Sequence, residues 1–209
     1  MKLKLFLFIV LTSLLFIIGG CSKNPASNRS ANADVKKGVA PVADNEIAVI
    51  EMENPAYGAI KLELYSNIAP KMVERFKELA REGFYNGITF HRINDSVIQG
   101  GDPNSKDQDP ENDGQGNSTK PNIPAEFSDL KYERGTLGAA RLGGDVNSQN
   151  CQFFITLKRV PEFDNKYTIF GKVIEGLNNV TTISGVQPKE RERPIEPVRI
   201  KSVTIQPRN

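Results

Sequence analysis

The chain has 209 residues, 38% of them hydrophobic and 25% charged, which is enough for one globular core. Lysine and arginine number 27 against 25 aspartate and glutamate, a net charge of +2; Lys2 and Lys4 supply that surplus, because residues 1–20 hold no acid. This composition excludes a multi-pass membrane protein, a coiled coil and a disordered chain. Balanced charge beyond residue 20 argues against nucleic acid as a partner, since phosphate binding needs clustered positive charge. Two cysteines and one histidine exclude a disulfide-rich scaffold and most multi-ligand metal sites.

Residues 1–20 read as an export signal. Two lysines precede the apolar run LFLFIVLTSLLFII, and Gly19-Gly20-Cys21 follows. That order of charge, apolar run and small residues marks a secretory signal, and the run is short for a bilayer span. Ile18-Gly19-Gly20-Cys21 resembles the lipobox of bacterial lipoproteins. The resemblance implies that the Cys21 thiol takes a diacylglyceryl group and that cleavage makes Cys21 the first mature residue. It implies an exported, membrane-anchored lipoprotein of the bacterial cell envelope, with Cys151 as its one remaining thiol. Residues 21–45 then form a lipid-anchored flexible tether. The stretch is rich in Ser, Asn, Ala and Pro and cannot bury enough surface to fold alone. A linker of this kind spans about 25–30 Å on average.

Residues 46–207 read as one mainly β domain. Glu46–Glu53 and the alternating Ala59–Tyr65 flank a turn cluster, Asn54–Gly58, and predict a hairpin. Pro70 opens a helix to Gly83, with Val73, Phe76, Leu79 and Ala80 at helical spacing. Short strands are expected at Ile88–Ile93 and Val97–Gln99. Residues 103–125 form a polar excursion with four prolines. Further strands fall at Thr136–Arg141, Gln152–Leu157 and Thr168–Val173, and a second helix at Leu177–Ile183. A last strand, Val198–Ile205, carries a phase slip between Ile200 and Val203 that predicts a bulge. Many short strands, two helices and no βαβ rhythm predict a closed antiparallel β-barrel.

The chemistry-bearing motifs fall in two blocks. The first is Phe90-His91-Arg92-Ile93 with Gln99-Gly100-Gly101-Asp102-Pro103. The second runs from Gly135-Thr136-Leu137-Gly138-Ala139-Ala140-Arg141 through Gln152-Phe153-Phe154-Ile155 and Phe163-Asp164 to Tyr167-Thr168-Ile169-Phe170-Gly171-Lys172-Val173. Together they resemble the signature of the cyclophilins, the barrel-type peptidyl-prolyl isomerases, over about residues 46–206. Ile123-Pro124-Ala125-Glu126-Phe127 resembles the bacterial branch. The resemblance implies an eight-stranded antiparallel barrel capped by two α-helices, with peptide bound in an outer groove. It implies Arg92 as the catalytic arginine, Gln99 and Gln152 as groove-lining amides, and Phe154 as a wall of the proline pocket. Ala140 and Arg141 line the adjoining backbone-binding stretch. Phe163 stands where the family usually has Leu, and Tyr167 where it has His or Tyr. No cofactor or metal is implied. The partners are proline-containing polypeptides and, through Cys21, a membrane; the chain is expected to be monomeric.

These residue types suit the reaction. An X–Pro bond rotates over a barrier of about 18–20 kcal/mol because rotation breaks amide resonance. In the twisted state the nitrogen lone pair is localised and becomes a better acceptor. A fixed donor aimed at it is worth more in the transition state than in either ground state. Arginine is always charged, and its planar fork can reach the nitrogen while a second partner holds it. No nucleophile or proton shuttle is required.

Other features have simpler readings. His91 has no second histidine and reads as structural, or as hydrogen-bonded to a neighbouring loop. Gly100-Gly101 is a tight strand exit, not a dinucleotide fingerprint, because no helix follows. Asp109-x-Glu111-x-Asp113-Gly114 imitates a calcium loop but has Lys120 at the twelfth position. The Arg92–Gln99 segment is one residue shorter than is usual in the family and lacks the aromatic floor of the proline pocket, so either Ser96 or Val97 takes that place. That leaves two expectations: a working isomerase that assists folding of exported proteins, or a weakly catalytic or non-catalytic binding module for proline segments. A purely structural lipoprotein is a third.

Overall fold

The computed structural model describes residues 34–107, 109–187 and 192–208. The signal, the lipobox and the first part of the tether lie outside them. No helix among the described residues is long and apolar enough to cross a membrane.

Eight strands form one antiparallel sheet: β1 Glu46–Met52, β2 Ala59–Leu64, β3 Arg92–Ile93, β4 Val97–Gly100, β5 Thr136–Ala139, β6 Phe153–Thr156, β7 Ile169–Glu175 and β8 Ile200–Pro207, in the order β3-β4-β6-β5-β7-β2-β1-β8. The predicted hairpin is present, with Ile50 opposite Ile60 and Ala48 opposite Leu62. The predicted bulge is present too: Glu51 faces Ser202 while Met52 faces Ile200, so Lys201 is skipped.

The sheet departs from the expected closed barrel. It is an open half-barrel with β3 and β8 at its two ends. The ends approach through a single bridge, Thr89 to Arg199. Backbone bonds from Phe90 N to Val198 O (2.9 Å) and from Ile200 N to Ile88 O (2.8 Å) flank it. The ladder stops there because Pro194 and Pro197 precede β8 and cannot donate. The strand expected over Ile88–Ile93 is accordingly regular only at Arg92 and Ile93.

Helix α1, Pro70–Arg81, buries Met72, Val73, Phe76, Leu79 and Ala80, the face its spacing predicts. Pro70 at its start supplies a preset φ. The Glu126 carboxylate accepts from Met72 N (3.0 Å) and Lys71 N (3.2 Å), capping the positive end from a distant loop. Gly83, at φ +69°, closes the other end: Phe84 N returns to Leu79 O at 3.0 Å. Phe76 sits among Tyr85, Phe153 and Phe170 with ring centroids 5.2–5.5 Å away. Helix α2, Leu177–Ser184, buries Val180 and Ile183.

The end of the predicted tether is held against the domain. Lys36 bridges Ser128, and its ammonium donates to Asn67 O and Ile68 O at 2.8 and 2.9 Å. Asn67 exchanges bonds with Val42 N and Ala40 O, and Val39 packs on the cluster around Tyr65 and Ile68.

Candidate active site

Strand alternation builds the site on the sheet's outer face. Ile98, Phe153 and Ile155 point into the main core. Val97 and Phe154, one residue out of phase with them, belong to a second cluster with Tyr132, Val160 and Ile169. Cross-strand pairing then aligns functional side chains: Arg92 faces Gln99, Gln99 faces Phe154, and Phe154 faces Gly138.

Arg92, Val97, Gln99, Ala140, Arg141, Phe154, Phe163 and Tyr167 line one pocket with about 390 Å³ of empty space including its mouth. All the residues expected in the site line it except Gln152, which lies in an adjoining pocket shared with Gln99, Ala140 and Arg141. Of the two floor candidates, Val97 lines the pocket and Ser96 does not. Three aromatic rings make the wall: Phe154 lies 5.5 Å from Phe163 and 5.7 Å from Tyr167, and those two are 4.8 Å apart. Tyr132 stacks behind Phe154 at 5.7 Å. The turn Pro161–Phe163 presents Phe163, and Asn165 at φ +58° brings the chain back so that Tyr167 N bonds Phe163 O. Arg141 lies over the Tyr167 ring with its guanidinium 4.5 Å from the centroid.

A chain of amides orients Arg92. Gln152 donates Nε2 to the carbonyls of Gly114 (3.1 Å) and Gly116 (2.9 Å). Carbonyls only accept, so Gln152 Oε1 must face Gln99, whose Nε2 donates to it at 3.0 Å. Gln99 Oε1 is thereby turned to Arg92 and accepts from Nη1 at 3.4 Å. On its other side the guanidinium donates from Nε to Glu192 Oε2 at 2.6 Å. Sequence reading missed Glu192. It lies 100 residues from Arg92 inside a charge run, where no local pattern marks it.

The polar excursion is a frame for this chain. Asp102, fully buried, caps the turn Pro103–Lys106 through Asn104 N and also accepts from Gly114 N. Asn150 holds Ser118 and Lys120. Gly101, at φ +93°, makes the predicted strand exit; a Cβ there would stand 2.5 Å from Cys151 O. The apparent calcium motif is otherwise engaged, with Asp113 on Arg193 and Lys120 on Glu78 and Glu82.

His91 sits beneath this loop, buried, with no hydrogen-bond partner for either ring nitrogen among the described residues. It packs; the alternative of a bond to the loop is not realised. Burial lowers its pKa from the ordinary 6.5, against the pull of Asp102 and Asp113. Burial pushes the Cys151 thiol up to about 12, which makes it a poor nucleophile.

A family model described as cyclophilin type peptidyl-prolyl cis-trans isomerase matches residues 48–205. A peptidyl-prolyl cis-trans isomerase of Schizosaccharomyces pombe is 40% identical over 165 residues, covering 76% of this chain and all of that one. A human protein named peptidyl-prolyl cis-trans isomerase-like 1 is 40% identical over 148 residues, covering 68% of this chain and 84% of its own. Among solved structures, a Cryptosporidium parvum cyclophilin type peptidyl-prolyl cis-trans isomerase crystallised in the presence of the dipeptide Ala-Pro superposes with a TM-score of 0.69. It is 30% identical, and the match covers 78% of this chain and 99% of that one.

Proposed function

This chain belongs to the cyclophilin-type peptidyl-prolyl cis-trans isomerases, and we propose that Arg92 is its catalytic donor and the Val97–Phe154–Phe163 pocket its proline site. The observation that carries this reading is the guanidinium held at two points on the rim of an aromatic pocket. A proline ring seated against Phe154 and Phe163 is fixed, while its preceding carbonyl side is free to turn. Arg92 has five N–H donors, of which Glu192 and Gln99 take two, and the residue lines the groove with the others unspent on these partners. As the bond twists, the proline nitrogen pyramidalises and its lone pair accepts from that guanidinium. No covalent bond is made or broken, and the donor is already oriented before the barrier is reached.

The substrates in this reading are exported polypeptides with X–Pro bonds, and the chain acts as a monomer of the bacterial branch anchored through lipidated Cys21. The lysines, apolar run and Gly-Gly-Cys21 support the anchor. One acyl chain holds a protein marginally and two or more hold it stably. Cys21→Ser should move the protein out of the membrane fraction; wild-type fractionation of that variant would refute the anchor. A second reading, a proline-segment binder with weak catalysis, draws on the small floor residue Val97. A protease-coupled or NMR-exchange assay on an Ala-Pro peptide separates the two. Catalysed interconversion lost in Arg92→Ala supports the isomerase, and binding without catalysed exchange supports the binder.

A further inference from the structure

We infer that Glu192, itself held by Asn94, is a positioning residue that aims the Arg92 guanidinium at the groove. The inference rests on the reading of Arg92 as catalytic donor.

The geometry of the shortened hairpin between β3 and β4, and its contact with residues 192–193, leads to it. Asn94 Oδ1 accepts from Ser96 N (2.8 Å) and Val97 N (2.9 Å), which closes the tight turn between β3 and β4. With its oxygen committed, Asn94 can offer only Nδ2 outward. That group donates to both carboxylate oxygens of Glu192 at 3.0 Å. The carboxylate in turn takes Arg92 Nε at 2.6 Å. Nε is the one edge of the guanidinium that belongs to the side chain's stem, and binding it there fixes the plane of the fork while leaving the Nη ends outward. Arg92 lines the aromatic pocket while Glu192 is not among the residues that line it.

Two further observations set Glu192 apart from a casual surface partner. Its backbone has φ +65°, a conformation an L-residue with a Cβ adopts only when its surroundings impose it. Its neighbour Arg193 donates from Nε to Asp113 Oδ2 at 2.5 Å, and Asp113 adjoins Gly114, whose carbonyl holds Gln152. Residues 192–193 therefore tie both ends of the amide chain, Arg92 at one and the Gly114 loop at the other. Gln99 at 3.4 Å is too long a contact to orient the guanidinium alone. Without Glu192 the fork would rotate about its last side-chain bonds, and misplacement of this kind costs rate more than binding.

The test uses the detergent-solubilised full chain and an Ala-Pro peptide, with kcat and KM measured separately. Glu192→Ala should lower kcat roughly 10- to 100-fold, with KM within about twofold of wild type. Tm should move by no more than about 4 °C, because the pair is half exposed. Glu192→Gln keeps an acceptor oxygen and should lose less than Glu192→Ala. In an Arg92→Ala background, Glu192→Ala should add no further loss, the signature of a residue acting through its partner. The Arg92 Nε–Hε NMR cross-peak should shift and exchange faster in Glu192→Ala. An unchanged or higher kcat in Glu192→Ala, with Arg92→Ala inactive, overturns this proposal alone; so does a raised KM at unchanged kcat. Full activity in Arg92→Ala overturns the reading of the donor and this proposal together.

Discussion

Replacing Gly138 by alanine tests how closely the pocket wall is packed. Gly138 lies opposite Phe154 in the β5–β6 ladder, and its φ falls outside the left-handed region, so alanine meets no backbone strain there. The obstacle is space. A Cβ would stand 2.6 Å from Phe154 Cε2 and 2.7 Å from the Tyr132 hydroxyl. Carbon contacts relax at about 3.5–4.0 Å, so the ring must retreat by about 1 Å. Tyr132 stacks behind Phe154 and Phe163 and Tyr167 abut its edges, so the open direction is toward the pocket. Overpacking costs about 1–3 kcal/mol, and replacing glycine in a strand returns about 0.5–1 kcal/mol through the unfolded chain, so the net loss of stability is on the order of 1 kcal/mol. The larger effect falls on peptide. A displaced ring that removes roughly 40 Å² of proline contact at about 25 cal/mol per Å² weakens binding by about 1 kcal/mol, or about fivefold in KM. Gly138→Val should exceed Gly138→Ala in both respects. The assay is steady-state isomerisation of an Ala-Pro peptide beside thermal melting. Wild-type KM and Tm in both variants would show that Phe154 has slack this packing denies.

Three further predictions follow from the site. Arg92→Ala should lose about 3–4 kcal/mol of transition-state stabilisation, two to three decades in kcat/KM, while its melting curve stays near wild type; Arg92→Lys should recover little, lacking the fork. Val97→Phe should lower KM about fivefold by restoring a ring-sized floor worth roughly 1 kcal/mol, whereas Ser96→Phe, off the pocket, should leave KM unchanged. His91 is neutral in the fold because burial holds its pKa below the ordinary 6.5, whereas the unfolded chain protonates it near that value. The unfolded state thus binds more protons as pH falls through 6.5 toward the folded value, and stability declines across that window. His91→Asn should flatten this decline in urea titrations at stepped pH; an identical slope would assign it to other groups.

Much of the fold was legible because it depends on local pattern. The hairpin of β1 and β2 shows in the alternation of Ile60, Leu62 and Leu64, α1 in the spacing of Val73, Phe76 and Leu79, and the β8 bulge in a one-residue slip after Ile200. The proposed proline pocket was legible through motif resemblance: Arg92, Gln99 and Phe154 stand at fixed places on neighbouring strands, and Tyr167 lies just before β7. What escaped depends on partners far along the chain. Ile88–Phe90 reads as strand, but its partner is only the start of β8, where two prolines limit pairing. Lys36 sits in a polar stretch that reads as free, yet it finds carbonyls at Asn67 and Ile68. The choice between Ser96 and Val97 turned on strand phase, which the Asn94 turn sets and the residue count between Arg92 and Gln99 leaves open.

The pairing of β1 with β8 also orders events in time. Ile50 meets Val203, and Glu46 meets Pro207, across some 150 residues of chain. During synthesis β1 can form its hairpin with β2 early, but its other edge stays bare until the domain's last strand has been made. The Thr89–Arg199 bridge waits for the same segment. Contacts of such long range are slow to form and leave an unpaired edge exposed meanwhile. For a chain exported in an unfolded state, one route to the anchored form proposed above, that delay would be useful. Under the proposed export, the sheet would stay incomplete until its last strand was released, and that strand would act as the latch on folding.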